Sequence, residues 1–111
     1  MTIASLGDDR VQLHPLASLE VLDAERWYDE QISGLGDRFL VAVEAAIERV
    51  ARWPDAGSPT RVDERGQVIE RRIVMSGFPF AIEYRLMDRT ILVLAGHHQR
   101  RGPSYWADRT I

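Results

Sequence analysis

Residues Phe80–Gly96 read FAIEYRLMDRTILVLAG, and the fold turns on them. Phe80, Ile82, Tyr84 and Leu86 fall on one side of an extended chain, with Ala81, Glu83, Arg85 and Met87 on the other. That alternation is the signature of a strand. Asp88-Arg89 supplies a two-residue turn and closes a hairpin. The run that follows, Thr90–Gly96, is apolar at every parity, as in a central strand covered on both faces. Upstream, Val68–Met75 has Ile69, Ile73 and Met75 in phase and reads as a further strand. Its Glu70 and Arg72 share one side, and Glu83 and Arg85 share one side of the next strand. If the two sides coincide, they form either a polar patch on a rigid floor or a set of cross-strand salt bridges. Arg71 points the other way, toward the sheet edge and a helix acid.

Toward the N-terminus the period changes to that of helices. Leu16–Ile32 places Leu19, Leu22, Ala24, Trp27 and Tyr28 at three- and four-residue steps, with Pro15 suited to a first turn. Ser33-Gly34-Leu35-Gly36 breaks that pattern. Asp37 is then positioned to cap a second helix to about Trp53, with Phe39, Leu40, Val43, Ala46, Ile47 and Val50 as its stripe. Pro54–Pro59 reads as a loop. Val11–His14 is a short strand stopped by Pro15, with His14 at the helix entry, and Pro103–Arg109 reads as a short terminal helix. The expected fold is therefore α+β in two layers. An N-terminal strand and an antiparallel helical hairpin pack on a small, mainly antiparallel sheet, in the order β-α-α-β-β-β plus a short C-terminal helix. Residues 1–10 are expected to be a flexible extension, and residues 11–111 a single domain.

The chain has 111 residues, with 45% hydrophobic and 28% charged, the mixture of one globular domain. It contains 0 Cys, which excludes disulfides, thiolate metal sites and a Cys nucleophile. No apolar run approaches the ~20 residues of a membrane span. The first ten residues lack the basic and apolar regions of a secretory signal, so a cytoplasmic location without membrane contact is expected. The net charge of -3 hides a division. Seven arginines face fourteen acids up to Glu70, and seven face three from Arg71 onward. The basic C-terminal third suits an anion or an acidic partner.

The densest chemistry lies past the last strand, in His97-His98-Gln99-Arg100-Arg101-Gly102-Pro103-Ser104-Tyr105-Trp106. His exchanges protons near neutral pH, Arg neutralises phosphate, and Tyr and Trp stack on bases. Phosphate-ester cleavage, RNA docking and simple packing of the tail onto the sheet all fit this run. Adjacent His97 and His98 point to opposite sides of a strand, so no metal site is expected. No phosphate-binding loop, dinucleotide fingerprint or serine nucleophile elbow is present, and no cofactor is expected.

Several of these segments together resemble the RelE/ParE superfamily of toxins from type II toxin–antitoxin systems. They are His14-Pro15, Trp27-Tyr28, the run Leu35-Gly36-Asp37-Arg38-Phe39-Leu40, Arg72, the run Phe78–Tyr84 (FPFAIEY) and the tail His97–Trp106. The resemblance spans about Val11 to Arg109. It implies a small bacterial protein that arrests growth and is silenced by a cognate antitoxin laid around it, with the apolar grooves flanking the helical hairpin as the antitoxin surface. It implies contact with promoter DNA only through the antitoxin. Two activities follow from it. RelE-like members are ribosome-dependent endoribonucleases that cut mRNA; for that role the resemblance points to Arg72, His98 and Tyr105 as catalytic residues, with Arg85, His97, Arg100 and Arg101 binding substrate. Val74 and Ala81 stand where further basic residues are expected. ParE-like members inhibit DNA gyrase and need no reactive constellation. An inactive antitoxin-binding module is the third reading.

Overall fold

The computed structural model describes residues 10–99 and 105–110. Its elements are β1 (Val11–Leu13), α1 (Pro15–Gln31), α2 (Leu35–Arg52), β2 (Ser58–Val62), β3 (Val68–Val74), β4 (Phe80–Met87) and β5 (Thr90–His98). The five strands form one sheet in the order β1-β5-β4-β3-β2. β1 runs parallel to β5, and every other pair is antiparallel. The two helices pack together, α1 lies against β5 and α2 reaches β3, so the α+β layering is as expected. No helix among the described residues is long and apolar enough to cross a membrane.

The helical hairpin is set by local chemistry. His14 starts α1, its Nδ1 accepting from Leu16 N–H at 3.1 Å with Pro15 in the first turn. Its role is thus that of a helix-entry residue. The cap of α2 differs from expectation. Asp37 lies inside the first turn, and Gly34, at φ 90°, holds the N-cap position. The acceptor for the free N–H groups comes from α1: Asp29 Oδ1 takes Gly34 N–H at 2.9 Å and Gly36 N–H at 3.2 Å. Gly36 has no alternative, because a Cβ there would lie 2.8 Å from Glu25 O.

The core lies between the hairpin and one face of the sheet. Phe80, Ile82 and Tyr84 of β4, Ile73 of β3 and Val93 of β5 meet Val21, Phe39, Val43, Ile47 and Val50. Phe39 is fully buried, with Tyr28, Phe78 and Phe80 ring centroids 5.0, 5.4 and 4.9 Å away. The stripe expected for α1 is only partly inward. Ala17 and Val21 are buried, with Ala24 and Tyr28 packed beside them, whereas Leu19 and Trp27 are 55% and 56% exposed. The β5 strand is buried on both faces, as its sequence requires. Its second face, with Leu92, Leu94 and Ala95, is covered by Trp106 of the tail. A bulge sets Leu94 out of register, since Tyr84 pairs with Val93 and Glu83 with Ala95.

Three further expectations are corrected. The stretch read as a loop at Pro54–Pro59 runs into a fifth strand, β2, whose five residues are all exposed and which carries Pro59 at the sheet edge, where a missing donor is tolerated. Tyr105–Asp108 forms turns rather than part of a helix; Pro103 and Ser104 lie outside the described residues. Arg71 meets no helix acid. It donates to Gly57 O at 2.8 Å and pairs with the loop acid Asp55 at 3.5 Å.

Tyr84 ties the same loop to the sheet, its hydroxyl donating to Pro54 O at 2.6 Å and accepting from Gly57 N–H at 2.9 Å. Tyr84→Phe is expected to cost about 2 kcal/mol in urea unfolding, because both loop groups lose a buried partner. Burial pushes the Tyr84 phenol up from its ordinary value, against the Gly57 hydrogen bond and Arg71, which lower it. Burial raises Tyr28 as well. The folded state then holds protons that the unfolded state releases above about pH 10, so stability is level below that pH and falls as pH rises past it. Tyr84→Phe should reduce the alkaline slope.

Candidate functional site

The register of β3, β4 and β5 assembles a charged row on the sheet face opposite the helices. Arg72 stands opposite Glu83, and Glu70 opposite Arg85. The two polar sides noted in the sequence therefore coincide, and they do so as ion pairs. Glu83 is fully buried. Its Oε1 accepts from Arg72 Nε and lies 3.1 Å from His97 Nε2, while Thr60 Oγ1 donates to its Oε2 at 3.2 Å. Glu70, 3% exposed, takes Arg85 at 2.6 Å and Arg61 at 3.1 Å on one oxygen. Each arginine of this row is thus engaged by a buried carboxylate.

The tail closes the end of the row. His97 stacks on Trp106 with centroids 4.6 Å apart and planes 16° from parallel. Tyr105 meets the His97 ring edge-on at 6.4 Å. The other ring nitrogen, His97 Nδ1, is 3.1 Å from His98 O. Arg109 fastens the segment, reaching Glu20 of α1 at 2.7 Å and Leu94 O at 2.9 Å, with its guanidinium 5.1 Å from the Tyr105 ring centroid.

Of the residues singled out in the sequence, Arg72, His97 and Tyr105 are linked here through Glu83 and the tail. Arg85 lies one pair along the row, on Glu70 and below Ala107 O, 3.4 Å away. His98, the residue after His97, is exposed and lines a groove beside α1 together with His97. Arg100 and Arg101 lie outside the described residues. From the sequence Glu83 belongs to the polar row, but its central place is visible only in the strand register, which shows which cations share it.

The groove beside α1 has a volume of about 480 Å³. Ala24, Trp27 and Tyr28 form its wall, and Phe80 and Gly96 its floor. A Cβ at Gly96 would lie 2.9 Å from the Phe80 ring, so glycine permits the approach. Glu20, Asp23 and His98 also line it. Trp27, read in the sequence as part of the inward stripe, belongs to this surface; its position one turn beyond Asp23 was the available signal.

No protein-family model matches the sequence, and a search of curated proteins returns no significant match. Among solved structures, a chain of the chromosomal ParDE toxin–antitoxin system from P. aeruginosa superposes with a TM-score of 0.58. The match covers 84% of this chain and 95% of that one, at 17% sequence identity. The two chains share a fold. The α+β architecture expected from the sequence is shared with that neighbour over nearly its whole length.

Proposed function

We propose that this chain is the toxin of a type II toxin–antitoxin system, that it acts by binding a macromolecular target rather than by cutting RNA, and that a cognate antitoxin occupies the groove beside α1. The shared fold with a chain of a ParDE system supports the first part. The second rests on one observation: Arg72, Arg85 and Arg61 are neutralised by the buried acids Glu83 and Glu70. Cleavage by the neighbouring 2′-hydroxyl needs cations facing the scissile phosphate and groups that move protons. Arginines held by buried carboxylates serve the fold instead. DNA gyrase inhibition, which asks for a binding surface only, is the reading this favours. The ribonuclease reading keeps one supporting observation, the gathering of Arg72, His97 and Tyr105 at one end of the sheet.

Induction of the chain alone should arrest bacterial growth, and co-expression of its cognate antitoxin should relieve the arrest. The purified protein should inhibit DNA supercoiling by gyrase. Normal growth on induction would contradict the toxin reading, and full gyrase activity with excess protein would contradict gyrase as the target.

A further inference from the structure

The two acids lining the groove are in different states. Glu20 is occupied: Arg109 places both terminal nitrogens on its carboxylate, at 2.7 and 3.1 Å, and Gly96 N–H donates to it at 3.2 Å. Asp23 is exposed and has no ion pair with any described residue. One turn further along α1 stands Trp27, 56% exposed and braced edge-on against Tyr28 at 5.1 Å. The wider surface has the same sign. The α1 sequence holds Glu20, Asp23, Glu25, Asp29 and Glu30 against the single cation Arg26, whereas three acids in α2 are matched by three arginines.

Resting on the seating of the antitoxin in this groove, we infer that Asp23 is a specificity determinant. The partner segment that lays an apolar side chain against Trp27 carries an Arg or Lys within about one turn of it, placed on the Asp23 carboxylate. The apolar wall supplies attraction without direction, so a segment resting on it can slide or reverse. A charge pair beside the anchor fixes register and rejects the wrong partner by like-charge repulsion. The chain already uses this device internally, since Arg109 reaches Glu20 on the same helix and anchors the tail there. An acidic segment meets Asp23 and the net negative charge of α1, and is excluded.

The test is titration of the purified cognate antitoxin, the protein that relieves the growth arrest, onto four forms of this chain: unaltered, Trp27→Glu, Asp23→Asn and Asp23→Arg. Each is measured at low and high salt, with far-ultraviolet circular dichroism as the control for folding. Both positions are exposed, so the variants should fold. Trp27→Glu should weaken binding more than a hundredfold. Asp23→Asn should weaken it about tenfold and remove part of the salt dependence, and Asp23→Arg about a hundredfold. Changing the partner's cation to Glu should restore binding to Asp23→Arg. Unchanged affinity in Trp27→Glu would place the antitoxin elsewhere and overturn the seating itself. Weakened binding in Trp27→Glu, with both Asp23 variants binding as the unaltered chain does, would leave the seating intact and overturn the role of Asp23.

Discussion

Replacing Arg72 with alanine is expected to lower the unfolding free energy by about 3 kcal/mol, although 38% of its side chain is exposed. The cost arises on the other side of the pair. Glu83 has no solvent to turn to, and without Arg72 its charge is left with His97 at 3.1 Å and Thr60 at 3.2 Å. Glu83→Gln should cost less, because the released Arg72 rehydrates. A double change, Arg72→Met with Glu83→Leu, should recover much of the loss, since apolar residues of similar volume commonly replace buried ion pairs without penalty. Denaturant unfolding of the three variants measures this. An Arg72→Ala change within about 0.5 kcal/mol of the unaltered chain, the usual range of a surface substitution, would show that the pair is not structural. The expectation also bears on function. Loss of toxicity in Arg72→Ala reports on catalysis only after the folded fraction has been measured, whereas His98→Ala and Tyr105→Phe alter exposed side chains and are the cleaner probes.

Phe39→Ala is expected to cost about 3–5 kcal/mol, the range for emptying a buried aromatic site. The ring is fully buried and sits among three others that come from α1, from the turn before β4 and from β4 itself. Its removal unlinks the helical hairpin from the sheet at the end where the groove lies, and two of those rings, Tyr28 and Phe80, line the groove. Antitoxin affinity should therefore fall together with stability. Phe39→Leu, which keeps most of the volume, should lose about 1–2 kcal/mol. A full-size loss of stability with unchanged antitoxin affinity would separate the aromatic cluster from the binding surface.

What the sequence conveyed follows from where burial imposes a pattern. The hairpin at Phe80–His98 was legible because β4 turns one apolar face to the core and carries Glu83 and Arg85 on the other, which gives alternation, while both faces of β5 are covered by apolar groups, which gives continuous apolarity. The β2 strand was not, because nothing covers either of its faces and its five exposed residues carry no period. α1 misled in a different way. Leu19 and Trp27 hold helical spacing but face outward, and a stripe that serves a partner cannot be told by spacing from one that serves the core. The cap on α2 came from Asp29, in the preceding helix, where a search for a local capping residue does not look. The hub at Glu83 depends on register, which sets Arg72 opposite Glu83 and His97 diagonally across from it, opposite Ala81, and register is a long-range property.

The central claim is that the charged row is structural and that growth arrest proceeds without RNA cleavage. Mapping of mRNA by primer extension in translating cells, shortly after induction of the chain without its partner, tests it most directly. The account predicts growth arrest with intact message. Cuts within translated codons that vanish when translation is blocked would contradict it and make Arg72, His98 and Tyr105 the residues to test.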